Sequence, residues 1–242
     1  MTNTIRAASL GAVLGIAAVS AILVGGIVSA QEMEGDQMMG DNMMEGDNMM
    51  MSSSSFSDID KAVVITDSSE FEKIRVYTGG DVPTDGSGGA FGYGVITSAG
   101  LEAIIVTTTH AGVKDSIAQA DADDPVFHNH YVALEEQADD PTCPGLQVRD
   151  ISYQEPGDVD VSGSGVVMED TPYYFGGTHS LSGDHISFNA NAEVGSVVSF
   201  TINPVDSDGH TSLTDIAAVC INDVKFASED HVTVISAAYY EN

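Results

Sequence analysis

Two histidines one residue apart, His128 and His130 in Phe127-His128-Asn129-His130-Tyr131, form the pattern in this chain best suited to holding a metal ion. The run reads as a strand, and successive strand side chains alternate faces, so both imidazoles point the same way. Their Cα atoms would stand roughly 6.5–7 Å apart, a span two rings can close over one ion with metal–nitrogen bonds near 2 Å. Two histidines hydrogen-bonded on a polar face would produce the same pattern. His110 follows three threonines at the end of another strand-like run and could reach the same rim. His179 and His185 flank Ser182-Gly183, a hairpin signal that would set them on neighbouring strands near that end of the sheet. His210, in an Asp-rich turn, and His231, at a strand start, are left out of the candidate set.

A second donor set is chemically different. Gly-Asp-(Gln/Asn)-Met-Met recurs in tandem from Gly35, Gly40 and Gly46, so that Met38, Met39, Met43, Met44, Met49 and Met50 lie in a segment with almost nothing else apolar. Core packing does not generate so strict a repeat. Thioether sulfur is a soft, uncharged ligand that suits Cu(I), and the interleaved carboxylates draw cations inward. The segment reads as a copper-capturing tail, with an acidic spacer carrying sacrificial oxidation sites as the alternative.

The placement of that tail points outside the cytoplasm. Arg6 is the only charge before Glu32, and the apolar run ends in Val28-Ser29-Ala30, an A-x-A-like cleavage site ahead of Gln31. Residues 1–30 are expected to be a signal peptide. A run of that length could also span a bilayer uncut, which would associate the protein with the membrane through its N-terminus. Cys143 and Cys220, an even pair in an oxidising compartment, are expected to form a disulfide. A thiolate metal ligand is the alternative, although neither cysteine has a supporting His or Met nearby.

Composition narrows the partners. Lys and Arg total 7 against 37 Asp and Glu, a formal net charge of -30 in 242 residues. Nucleic acid is excluded, because phosphate binding needs a basic footprint, and anionic lipid headgroups are poor partners for the same reason. Such a charge is tolerated at high salt, so a saline habitat is a rival explanation for the carboxylates.

The elements that must position the histidines are strands. Short runs of Val, Ile, Thr, Phe and Tyr bounded by Gly, Pro, Asp and Ser predict strands over 71–78, 90–97, 101–110, 126–134, 148–153, 165–168, 185–189, 196–203, 217–226 and 232–240. The expected fold is all-β, a single β-sandwich or barrel-like domain over 56–242, after a disordered Met-rich tail and Ser hinge over 31–55. One helical turn is predicted at 212–218 and a short surface helix at 113–122, ended by Asp123-Asp124-Pro125.

Several other motifs lack their context. Gly86-Ser87-Gly88-Gly89 is a turn signal without the strand and helix of a phosphate-binding loop. Asp158, Asp160, Ser162 and Glu169 match the ligand spacing of an EF-hand loop around Gly163, but Pro156 and Gly157 preclude the entering helix. A strand broken by a Gly-Ser-Gly bulge is expected there instead. No Ser occupies a nucleophile elbow.

The order Phe-His-x-His, Cys143, later histidines and Cys220 is similar to that of copper/zinc superoxide dismutase, a β-barrel with an intramolecular disulfide. The Gly-rich ligand loop is missing at the usual distance, as is the arginine before the second cysteine. Val82-Pro83, Gly88-Gly89 and the His-x-His also resemble landmarks of the secreted CHRD β-domains over about a quarter of the chain. The residues themselves support an exported, acidic metal-binding protein that handles copper, with zinc as the other ion for the histidines. A copper/zinc-dependent oxidoreductase of the dismutase type and a cell-surface interaction module without metal are the alternatives.

Overall fold

The computed structural model describes residues 55–137, 142–214 and 216–237, so the expectations for the signal segment and the methionine repeat lie outside the described residues. The described chain is almost entirely β. Its strands are β1 (Ile59–Thr66), β2 (Glu70–Thr78), β3 (Phe91–Thr97), β4 (Ile104–Thr109), β5 (His128–Gln137), β6 (Gly145–Ile151), β7 (Asp158–Ser162), β8 (Gly165–Pro172), β9 (Tyr174–Thr178), β10 (His185–Asn189), β11 (Val194–Val205), β12 (Ala218–Phe226) and β13 (Val232–Ser236).

Six of them close into a barrel in the order β11-β12-β6-β5-β4-β3, and a five-stranded sheet, β13-β1-β2-β8-β7, packs against its outer wall. The period of 2 decides which residues go where. Along β3, β4, β5 and β11, Tyr93, Val95, Ile105, Tyr131, Ala133 and Val197 face outward and share one core with Ala62, Val64, Ile74, Val76, Val166 and Met168 of the sheet. Their alternates, Ile104, Val106, Val132, Leu134, Val198 and Phe200, point into the barrel lumen and form a separate apolar cluster. His128 and His130 share the lumen-facing parity of Val132 and Leu134.

Each predicted strand has a counterpart; 185–189 has the expected ends, most others begin or end a few residues away, and the last residues of the 232–240 run lie outside the described residues. The 165–168 run extends to Pro172 and pairs with β7 through a tight Gly163-Ser164 turn, Ser162 opposite Gly165 and Gly163 at φ 56°. The expected bulge is therefore a hairpin. The predicted helices at 113–122 and 212–218 are absent among the described residues of those segments, which run as turns and bends. β1, with its exposed Asp60 and Lys61, and the Gly-rich β9 carry weak strand signals and escape the sequence reading.

One barrel seam is short. β12 and β6 pair through Cys220 opposite Gln147 and Ile221 opposite Leu146, and the Cys143–Cys220 disulfide, with Cα atoms 5.5 Å apart, ties β12 to the segment just ahead of β6. A covalent staple thus reinforces the place where the hydrogen-bonded wall is thinnest.

Candidate metal centre

Three histidines and one aspartate meet at one end of the lumen. β4 and β5 are antiparallel neighbours with Thr108 opposite His128 and Val106 opposite His130, which brings His110, just past the end of β4, beside the start of β5. His110 Nε2 lies 3.2 Å from His128 Nε2 and 3.2 Å from Asp115 Oδ2. His128 Nε2 stands 3.3 Å from Asp115 Oδ1, and His130 Nε2 stands 3.7 Å from Asp115 Oδ2. His128 and His130 are fully buried and His110 nearly so.

The outer nitrogens determine the tautomers. His128 Nδ1 faces the Val126 carbonyl at 2.8 Å and His130 Nδ1 faces the Ser152 carbonyl at 2.6 Å. A carbonyl can only accept, so both Nδ1 atoms carry the proton and donate it, and in the neutral rings both Nε2 atoms present lone pairs to the centre. Metal-ligating histidines are commonly oriented by such a hydrogen bond on the other ring nitrogen. Thr108 Oγ1, at 3.1 Å, can donate to His128 Nε2. His130 Nε2 and Asp115 Oδ1 are buried without a hydrogen-bond partner. Two acceptors turned toward one site without a donor between them leave an electrostatic deficit that a cation would fill.

Asp115 is anionic in this setting. Burial pushes its carboxyl upward, but the His110, His128 and His130 rings around it outweigh that effect and hold it well below the usual carboxylate range. His110, Asp115 and His128 form a compact group able to hold a metal ion, and His130 Nε2 stands beside it on the lumen side, 3.7 Å from Asp115 Oδ2.

Asp115 was missed in the sequence because its segment reads as a surface helix. It sits instead on a loop between β4 and β5 that is shaped from within by a buried glutamine. Gln119 Oε1 accepts from the backbone N–H groups of Asp115 (3.0 Å) and Ser116 (3.2 Å), while its Nε2 donates to the Val113 and Asp124 carbonyls. Ser180 Oγ donates to the Asp115 carbonyl, and Ser116 Oγ donates to Glu155, whose other oxygen accepts from the Asn129 N–H at 2.9 Å. The loop is therefore fastened both to β5 and to the turn after β9. The spacing from His110 to Asp115 was the only available signal, and it becomes meaningful once the chain turns back on itself.

The other candidates fall elsewhere. His185 is exposed on β10, opposite Thr178 of β9 in the expected hairpin. His179 accepts backbone N–H bonds from Leu181 and Ser182 at its Nδ1 and approaches the Arg149 carbonyl through Nε2. Neither is brought into the cluster. Asp206, Asp208 and His210 form a second group able to hold a metal, but it lies on an exposed turn. The Asp206 Oδ1 atom there already accepts from the N–H groups of Asp208 and His210.

The chain matches no known family model, no curated protein and no solved structure.

Proposed function

We propose that this is an exported metal-binding protein that handles copper. His110, Asp115, His128 and His130 hold Cu(II) or zinc at the end of the barrel, and the methionines between Met38 and Met50 capture Cu(I). One observation carries the reading: buried Nε2 lone pairs with locked tautomers converge on an ionised carboxylate, and His130 Nε2 lacks any other partner. The separations of 3.2–3.3 Å among His110, Asp115 and His128 also suit an ion. Ligands of a tetrahedral site with bonds of about 2.0–2.1 Å stand roughly 3.3–3.4 Å from one another. Imidazole and carboxylate suit both zinc and Cu(II), and Cu(II) binds such donor sets more tightly among the divalent ions. The disulfide is consistent with the oxidising compartment that export would provide.

Copper and zinc titration of three proteins tests it: the chain from Gln31, the chain from Ser52, and the His128→Ala/His130→Ala double variant. Truncation removes Cu(I) binding and leaves the divalent site. The double variant does the reverse. Unchanged stoichiometry in both would leave a surface module without metal as the better account.

A second reading is favoured by the cavity that reaches His110, Asp115 and His130 from within the barrel, since a centre reachable by small molecules could turn over. Superoxide consumption by the copper-loaded chain from Ser52, absent in the double variant, would identify a dismutase-type oxidoreductase.

A further inference from the structure

The barrel lumen is an apolar chamber with a polar floor. A cavity of about 560 Å³ runs through it, walled by side chains such as Val132, Val198, Phe200 and Ile221 and floored by His110, Asp115 and His130. That volume lies within the roughly 300–1,000 Å³ of small-molecule sites.

Gly92 and Gly94 of β3 do not border this space: neighbouring strands already fill the room beside them, a Cβ on Gly92 meeting the Thr107 carbonyl at 2.5 Å and Phe200 Cζ at 2.9 Å. The cavity is bounded mainly by side chains of β4, β5, β6, β11 and β12. Glu135, Glu136, Gln147 and Arg149 also line the cavity, away from the histidines, so water would find hydrogen-bond partners chiefly toward its ends and the stretch along Val132, Val198 and Phe200 suits an apolar occupant.

The floor specifies the other end of that occupant. His110 and Asp115 of the group able to hold a metal line the cavity, with the fully buried, unpartnered Nε2 of His130 beside them, so the chamber ends at the metal centre. A divalent ion with neutral imidazoles and the single Asp115 carboxylate leaves one unit of positive charge in a low-dielectric setting. One anionic head group would neutralise it.

We propose that the lumen binds a small monoanionic amphiphile, an aliphatic or aromatic carboxylate, with its head at the metal and its apolar body along Val132, Val198, Phe200 and Ile221. The proposal rests on the metal-binding reading above. It does not follow from the overall charge, because a formal net charge of -30 repels anions at long range. Binding should therefore strengthen as salt screens that repulsion, the opposite of an anion attracted to a basic surface.

Octanoate is a suitable probe and 1-octanol its uncharged control. Zinc content of the exported chain is measured first, and octanoate and octanol are then titrated calorimetrically into zinc-loaded and zinc-free protein. Octanoate should bind one to one and about tenfold or more tighter than octanol when zinc is present, and that preference should vanish without zinc. Val198→Phe and Ile221→Phe, on different strands, should each weaken both ligands at least about tenfold by filling the lumen while zinc content stays unchanged. A shift of the Cu(II) absorption band with octanoate and not with octanol would place the carboxylate on the metal. Failure to take up zinc or copper overturns the metal reading and this proposal with it. Normal metal uptake with no octanoate binding, or with equal binding in a zinc-retaining lumen variant, overturns this proposal alone.

Discussion

The Nε2 atoms of His110 and His128 stand 3.2 Å apart although eighteen residues separate them in the chain. The antiparallel β4–β5 register creates this proximity, and the Val126 carbonyl keeps the His128 proton on the far side of the ring. The loop between the two histidines then supplies Asp115 to the same point.

Asp115→Asn should retain the fold and weaken divalent metal binding by more than the 10–100-fold typical of losing a supporting residue, since it removes the only carboxylate of the proposed site. His185→Ala, altered on exposed β10, should leave affinity unchanged. Competition titration against a chelator measures both, and equal affinities in the two variants would refute the assignment of Asp115 as a ligand.

Gln119→Ala tests whether the loop is held from within. Its amide makes four hydrogen bonds to backbone groups around Asp115. Leaving those groups unsatisfied should cost about 1–3 kcal/mol in thermal or denaturant unfolding and weaken metal binding roughly 10–100-fold. An unaltered metal affinity would show that Asp115 is positioned without it.

Acid should release the metal before it discharges Asp115. Imidazole must be neutral to ligate, and free histidine titrates near pH 6.5, so divalent metal should be lost as pH falls through and below that value. The Asp115 pKa is depressed in the folded protein. Its contribution to stability is therefore present above the unfolded aspartate value, about 3.9, and is lost only as pH falls through the lower folded value. Metal content followed against pH, beside unfolding free energy in Asp115→Asn and the parent, separates the two events. Full retention of zinc at pH 4 would count against histidine ligation.

Cys143→Ser/Cys220→Ser should destabilise the domain by about 2–5 kcal/mol, since the bridge closes a long loop, its ends 77 residues apart, at the short β6–β12 seam. Hydrogen exchange should accelerate first in β6 and β12. Uniform acceleration across the barrel would indicate that the seam has no stability of its own to lose.

Much of the strand content was legible because period-2 alternation and turn residues are local properties. His128 and His130 share a face for the same reason, and their lumen-facing parity follows once Val132 and Leu134 are known to point inward. The even cysteine count likewise announced the Cys143–Cys220 bridge. Residues 113–122 were misread because a helix-compatible pattern says nothing about a buried Gln119 side chain that satisfies four backbone groups in a non-helical path.

By itself the sequence determined the acidic charge, the all-β class, the donor chemistry of His128 and His130, and the cysteines available to pair. These depend on residue type and short spacing alone. Only the tertiary structure decided that His110 and Asp115 join that pair while His179 and His185 do not, and that the centre opens into an apolar lumen. Strand register and barrel closure set those relationships, and both arise from pairings between segments distant in the chain, which no local pattern encodes.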